Sequence, residues 1–155
     1  MARIAVGAAL LLLSFVVHAD PVDIVEFYNP DLDHFFITAE GGEATNVDSG
    51  VSGRWFRTGE YFEGWMSQAE APAGAVPVFR FYAFSQNSHF FTSSASEKDY
   101  LVSLNPNADP ARGWILEGIA FYAAAAPLAG AKVTCSTNSR TVQRAYNNGF
   151  GRNGS

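Results

Sequence analysis

The sequence predicts a β-rich α+β fold: internal, pseudo-symmetric repeats of short antiparallel strands, with a short helix in each unit. Three observations carry this. The phrases "DHFFITA" (Asp33 to Ala39) and "SHFFTSS" (Ser88 to Ser94) place a histidine and two phenylalanines in the same short wording twice. Around them, "VEFYNPDLDHFFITAEGGE" (Val25 to Glu43) lies over "FRFYAFSQNSHFFTSSASE" (Phe79 to Glu97). This matches Phe27-Tyr28 with Phe81-Tyr82, His34-Phe35-Phe36 with His89-Phe90-Phe91, Thr38 with Thr92 and Glu43 with Glu97, with single-residue shifts between them. Further on, "RWFRTGEYF" (Arg54 to Phe62) lies over "GWILEGIAF" (Gly113 to Phe121), matching Trp55 with Trp114, Gly59 with Gly118 and Phe62 with Phe121. The order of every mark is kept, which is the signature of a repeat architecture.

The chain opens with Met1-Ala2-Arg3, continues through an apolar run from Ile4 to Val17 broken only by Gly7 and Ser14, and reaches Val17-His18-Ala19 before Asp20. A basic start, a short apolar stretch and small residues before the cut form the pattern of a secretory signal peptide. Cleavage is expected between Ala19 and Asp20, giving a secreted or periplasmic protein whose residues 20–155 form a single repeat domain. The run is shorter than the about 20 apolar residues that a membrane helix needs, and every later apolar run is interrupted by charge, Gly or Pro. A membrane-embedded protein is therefore not expected. Loss of Arg3 takes the formal charge from −5 to −6, a balance that disfavours nucleic acid or anionic membrane as the main partner. With 14% aromatic and only 16% charged residues, the chain can bury a core.

Each unit reads in the same order. The Val-x-x-Phe-Tyr and His-Phe-Phe-Thr segments are β-rich runs joined by a turn of Asn, Pro, Asp, Ser and Gln, which is a hairpin signal. Ser94-Ala95-Ser96-Glu97 has capping-box spacing and leads into "KDYLVSL", where Tyr100, Leu101 and Leu104 are expected to share a helix face. The matching "EGGEATNVD" carries two glycines, each unfavourable by about 1 kcal/mol relative to Ala in a helix, so its helix is expected to be shorter and weaker. A Trp-containing strand, a turn at Gly59 or Gly118 and an aromatic strand then close the unit. The expected boundaries are about 22–74 for unit one, 75–135 for unit two and 136–155 for the start of unit three, where "TVQRAYNNGF" (Thr141 to Phe150) repeats the opening of "PVFRFYAFSQ" (Pro77 to Gln86). A lone opening strand at Thr141 to Asn147 is expected to lack its hairpin partner, which opens a route to self-association through the unfinished unit.

The phrases "FYN…DHFFITA…E", "W…TG…F", "PVFRFY", "SHFFTSS…E", "EGIAFY" and "VQRAYNNGF" together resemble the secreted bacterial and fungal repeats known as domain of unknown function 5648. The resemblance implies a β-rich repeat module on exported proteins, often appended to secreted hydrolases, and it brings no catalytic residues. It also implies a cysteine where Phe79 stands here, and a third repeat that continues further. Cys135 is the only cysteine, so neither an intramolecular disulfide nor a cysteine-rich zinc site is available. A half-buried apolar role and pairing with another molecule are both open to it.

No nucleophile elbow, phosphate loop, dinucleotide fingerprint or zinc-protease motif occurs. Asn29, Asp31, Asp33 and Glu40 fall on positions of a calcium loop, but His34 stands where that loop needs Gly and a strand follows; surface turn acids are the better reading. His34 and His89, read as one position of one unit, are expected to sit in equivalent places beside Tyr28 and Tyr82, with no metal between them. Catalytic residues, metals and cofactors are not expected. The ligand-binding candidates are Trp55, Trp114, Tyr28, Tyr82, Arg80, His34 and His89, since aromatic faces with a few polar fingers hold glycans and peptides in many secreted modules. The same rings, with Trp65 and Tyr122, are equally explained as core. Three functions stay open: a non-catalytic module binding a polysaccharide or a surface protein, a small hydrolase using carboxylates among Glu26, Asp33, Glu60, Glu63 and Glu117, and a structural or adhesion module without a small ligand.

Overall fold

The computed structural model describes residues 19–125 and 133–134; residues 1–18 of the expected signal peptide, Cys135 and the expected start of a third unit at 136–155 lie outside the described residues. The fold hangs on two hairpin turns that end in left-handed backbone, at Asp33 (φ 52°) and Asn87 (φ 45°). Asp and Asn tolerate that conformation better than other side-chain-bearing residues. Each also accepts a tyrosine hydroxyl from its own hairpin: Tyr28 Oη donates to Asp33 Oδ1 at 2.9 Å and Tyr82 Oη to Asn87 Oδ1 at 2.8 Å.

The first hairpin joins β1 (Val22–Asn29) to β2 (His34–Ala39), and after α1 (Gly42–Asp48) the chain returns as β3 (Phe56–Gly64) on the other side of β1. The second unit repeats this with β4 (Val76–Ala83), β5 (Ser88–Thr92), α2 (Ala95–Leu104) and β6 (Trp114–Ala123), in the sheet order β5-β4-β6. All pairings are antiparallel. A two-residue strand, β7 (Val133–Thr134), adds to the free edge of β3 at Tyr61 and Phe62. The expected fold class is thus observed: a β-rich α+β protein with two similar antiparallel units, each carrying a helix.

Three expectations change. Gly59 and Gly118 do not turn the chain between two strands. β1 stays paired with β3 from Val22 opposite Gly64 to Tyr28 opposite Phe56, with a register shift between Val25 and Phe27. β6 runs along β4 in the same way, with shifts on either side of Phe79-Arg80. Each glycine is therefore in the irregular part of one continuous strand, at φ 87° and 132°, and the unit has three strands rather than four.

The repeat register also differs from the wording. Tyr28 lies opposite Phe35 and Asn29 opposite His34, whereas Tyr82 lies opposite His89 and Ala83 opposite Ser88. His34 therefore corresponds to Ser88, and His89 to Phe35. The two histidines are not equivalent. Turn geometry sets strand register, and two equal turns override the letter pattern by one residue.

The helices complete the corrections. α2 is the longer, and Ser94 Oγ caps it by accepting from Glu97 N at 3.2 Å, while α1 has no side-chain cap. Yet α2 buries no residue, with Tyr100 and Leu104 exposed, whereas α1 buries Ala44 and Val47. Capping decides how long each helix is, and packing decides which one is anchored.

One core serves both units. Ile24, Phe27, Phe36 and Ile37 from the first cluster with Val78, Phe91, Phe121 and Ala123 from the second. Phe62 meets Phe121 edge to face at 5.5 Å. Beside this pair the backbones of buried Trp65 and Tyr122 exchange hydrogen bonds of 3.0 and 2.7 Å. Gly64 is needed at this seam, since an added Cβ would fall 2.9 Å from the Ile24 side chain and 3.2 Å from the Tyr122 carbonyl. Among the described residues no helix is long and apolar enough to cross a membrane.

Two glycines predict opposite responses to one substitution. Gly118→Ala has open space but a backbone at φ 132°, so it should destabilise by about 1–3 kcal/mol. Gly42→Ala, in open space with no such φ, should be neutral or stabilise by up to about 1 kcal/mol. Urea unfolding of both variants checks the contrast.

Candidate functional site

The sheets meet so that the end of β2 and the start of α1 face the middle of β6 across a cleft of about 340 Å³. Its walls are apolar at Ile37, Met66, Ile119 and Phe121 and polar at Thr38, Glu40, Glu43, Arg80 and Glu117. Of the seven sequence-derived candidates, only Arg80 lines it.

Arg80 projects from β4 and ties three elements together. Its Nη1 donates to Glu43 Oε1 and Oε2 of α1 at 3.1 and 2.8 Å. Its Nε lies 2.7 Å from Glu117 Oε2 of β6. Thr38 Oγ1 donates to Glu43 Oε2 from β2. With only 21% of its side chain exposed, Arg80 is the hub of an ion cluster bridging the two units, and partial exclusion of water strengthens such pairs relative to open surface.

His89 stands behind this cluster. Its ring lies 4.8 Å from Tyr82 at 42° and 4.8 Å from Phe36 of the other unit at 49°. In unit one, Phe35 packs on Tyr28 at the same 4.8 Å and 40°, so His89 occupies an aromatic stacking position. Its Nε2 is 3.6 Å from Glu117 Oε2, beyond hydrogen-bond reach. The ring is held neutral: burial, then the Arg80 guanidinium, push its pKa down to about 4, partly opposed by Glu43. His34 does something different, placing Nδ1 3.1 Å from the Asn87 carbonyl in the second hairpin turn. The two roles expected of a strand-start histidine, backbone hydrogen bonding and aromatic packing, are thus divided between two histidines.

The other candidates support the frame. Trp55 and Trp114 are half-buried against Phe36 and Phe90, at 6.1 and 5.8 Å. Tyr28 and Tyr82 hold the turns. The calcium-like positions are committed locally: Asn29 Oδ1 accepts from Asp31 N and Leu32 N, Asp31 pairs with Arg54, Asp33 takes the Tyr28 hydroxyl, and Glu40 pairs with Arg57 at 2.6 Å. Glu40 and Asp48 are both held below the usual carboxylate range, chiefly by hydrogen bonds from Arg57. Among the described residues, no group of three or more His, Cys, Asp or Glu is placed to hold a metal ion.

What the sequence reading missed is the partnership around Arg80. The corrected register makes it visible. Arg80 corresponds to Glu26, Glu117 to Thr58 and His89 to Phe35. Three neighbouring positions thus differ in chemistry between the units.

Residues 11–124 match the family described as domain of unknown function (DUF5648). The chain belongs to this family. No curated protein and no solved structure matches it. The DUF5648 match spans both described units and ends just past β6, so the cleft and its ion cluster lie within the family domain.

The neutral His89 makes this DUF5648 domain sensitive to acid. The unfolded chain takes up a proton near pH 6.5 and the folded chain only near 4. Folding is therefore unaffected by this group above about pH 6.5, weakens as pH falls from there to about 4, and weakens no further below that. The predicted loss is about 3 kcal/mol. His89→Phe, which restores the unit-one residue, should flatten that slope in urea unfolding at pH 4.5 and 7.

Proposed function

We propose that this DUF5648 domain is an exported, non-catalytic binding module whose ligand, a glycan or a peptide, sits in the cleft between the units. The carrying observation is that the cleft brings together Arg80 and Glu117, which stand where unit one has Glu26 and Thr58, and sets them against Glu43 of α1. A duplicated fold keeps matching side chains where packing demands them, and Trp55/Trp114 and Phe62/Phe121 are such positions. Arg80 and Glu117, which do not match, line instead a cleft whose other walls are apolar at Ile37, Met66 and Ile119. A few convergent polar groups on an apolar surface are the usual make-up of a ligand pocket. Attachment to secreted hydrolases, implied by the family resemblance, fits an accessory role, as does the leader at residues 1–19.

A small hydrolase using carboxylates is the second reading, favoured by the same asymmetry, since catalysis also needs a site that the copies do not share. Of its five acids only Glu117 lines the cleft. Glu117 and Glu43 both accept from one guanidinium, whereas glycoside hydrolysis needs one carboxyl free to deliver a proton. The binding reading fits that arrangement better.

Binding of the intact chain to polysaccharide and peptide panels, beside hydrolase assays on the same panels, separates the two. The binding reading expects saturable binding without turnover, weakened about tenfold or more by Arg80→Ala. It expects little change from Phe84→Ala, which is exposed on the second turn and outside the cleft. Turnover abolished by Glu117→Gln would favour the hydrolase.

A further inference from the structure

We infer that the occupant of the cleft is a short extended peptide carrying a basic side chain, which pairs as an added strand with the outer edge of β6 at Gly118–Phe121; this rests on the cleft-binding reading above. The molecule contains its own precedent. Phe62 of β3 and Phe121 of β6 are equivalent, being opposite Ile24 and Val78. In unit one the outer edge at Tyr61 and Phe62 carries an antiparallel strand, β7, with Thr134 and Val133 as partners. In unit two β6 is the last strand of its sheet; among the described residues its backbone is met from outside the sheet at Trp114, whose carbonyl accepts from the Asn105 side chain, and at Tyr122, through Trp65, with no strand paired to Gly118–Phe121 on that side.

That open run borders the cleft. Gly118, Ile119, Ala120 and Phe121 form one wall. Ile119 is 48% exposed. Unpaired strand edges recruit extended segments, whose main chain supplies affinity and whose alternate side chains supply specificity. Strand bulges often blunt such edges, but β3 accepts β7 directly beside its own irregular stretch, so the bulges of β6 are no bar. They and the Trp65 bridge confine the occupant to a few residues.

Charge selects the side chain. The lining holds Glu40, Glu43 and Glu117 with Arg80; Arg57 beside it pairs with Glu40 and Asp48, so four carboxylates stand against two guanidiniums, and the chain as a whole is acidic. A lysine or arginine entering between β6 and α1 meets this excess of carboxylate, whereas an acidic peptide is repelled.

The probe is an end-capped peptide with the sequence of residues 131–136 and Cys135→Ser, which contains Lys132 and the Val133–Thr134 pair. It is titrated into the full chain while backbone amides are followed by NMR. The expected result is saturable shifts at Gly118–Phe121 with slowed hydrogen exchange there. Binding should be lost when the peptide's valine nitrogen is methylated, and weakened roughly fivefold when its lysine is replaced by alanine, the scale of one partly exposed ion pair. Shifts confined to Tyr61 and Phe62 would mean exchange with the chain's own strand and would overturn the inference. So would full protection of Gly118–Phe121 before any peptide is added. A glycan that shifts the cleft residues while the peptide does not would sink the peptide inference and leave the cleft reading standing. If neither ligand moves any cleft residue, both fall.

Discussion

The constraint behind the whole structure is that neither sheet can bury its apolar face alone. Three short strands and a helix of about two or three turns enclose too little to stand by themselves in water. Phe27 and Phe36 from one unit and Phe91 and Phe121 from the other therefore fill a single interior. Other features follow from that seam. Gly64 allows the backbones to approach, Trp65 and Tyr122 use the approach to exchange hydrogen bonds, and Arg80 reaches Glu43 across it. The cleft is what remains where the two units diverge around the seam.

Arg80 and Glu117 diverge from unit one where change is least expensive to packing. A side chain on β4 or β6 that faces the other unit's helix contacts a surface that unit one does not present to itself, so that position is released from the repeat. Glu26 can become Arg80, and Thr58 can become Glu117, without disturbing the strands that carry them. His89 replaces a phenylalanine yet keeps the ring contact with its tyrosine. The replacement adds an ionisable group at a place built for an apolar one, and burial keeps it uncharged.

Much of the fold was legible because duplication doubles every signal. Strands, turn residues and the paired Trp and Gly marks each gave two chances to be read, while the Ser94 cap, which α1 lacks, gave one. The failures have physical causes. A glycine between two strand-like runs looks the same whether it turns the chain or kinks a continuous strand, and only the partner strand decides; at Gly59 and Gly118 it kept pairing. The His-Phe-Phe wording invited alignment by letters, but the hairpin turns count residues, and Phe35 rather than His34 stands opposite a tyrosine. The candidate site was least legible. Arg80 was singled out, but its partners Glu43 and Glu117 come from a helix and a strand far along the chain, and no spacing rule links them. The aromatic candidates proved to hold turns and line the frame, since a repeated ring is first a packing element.

If one shared core is the organising fact, the two units must lose their structure together. Native-state hydrogen exchange tests this most directly, comparing the slowest backbone amides of β1 with those of β4. The account predicts one common opening free energy for both strands, equal to that of global unfolding and lowered equally in both by Phe121→Ala, which by itself removes a side chain of unit two. Two separate values, with β1 unaffected by that substitution, would contradict it and make the chain a pair of independent units.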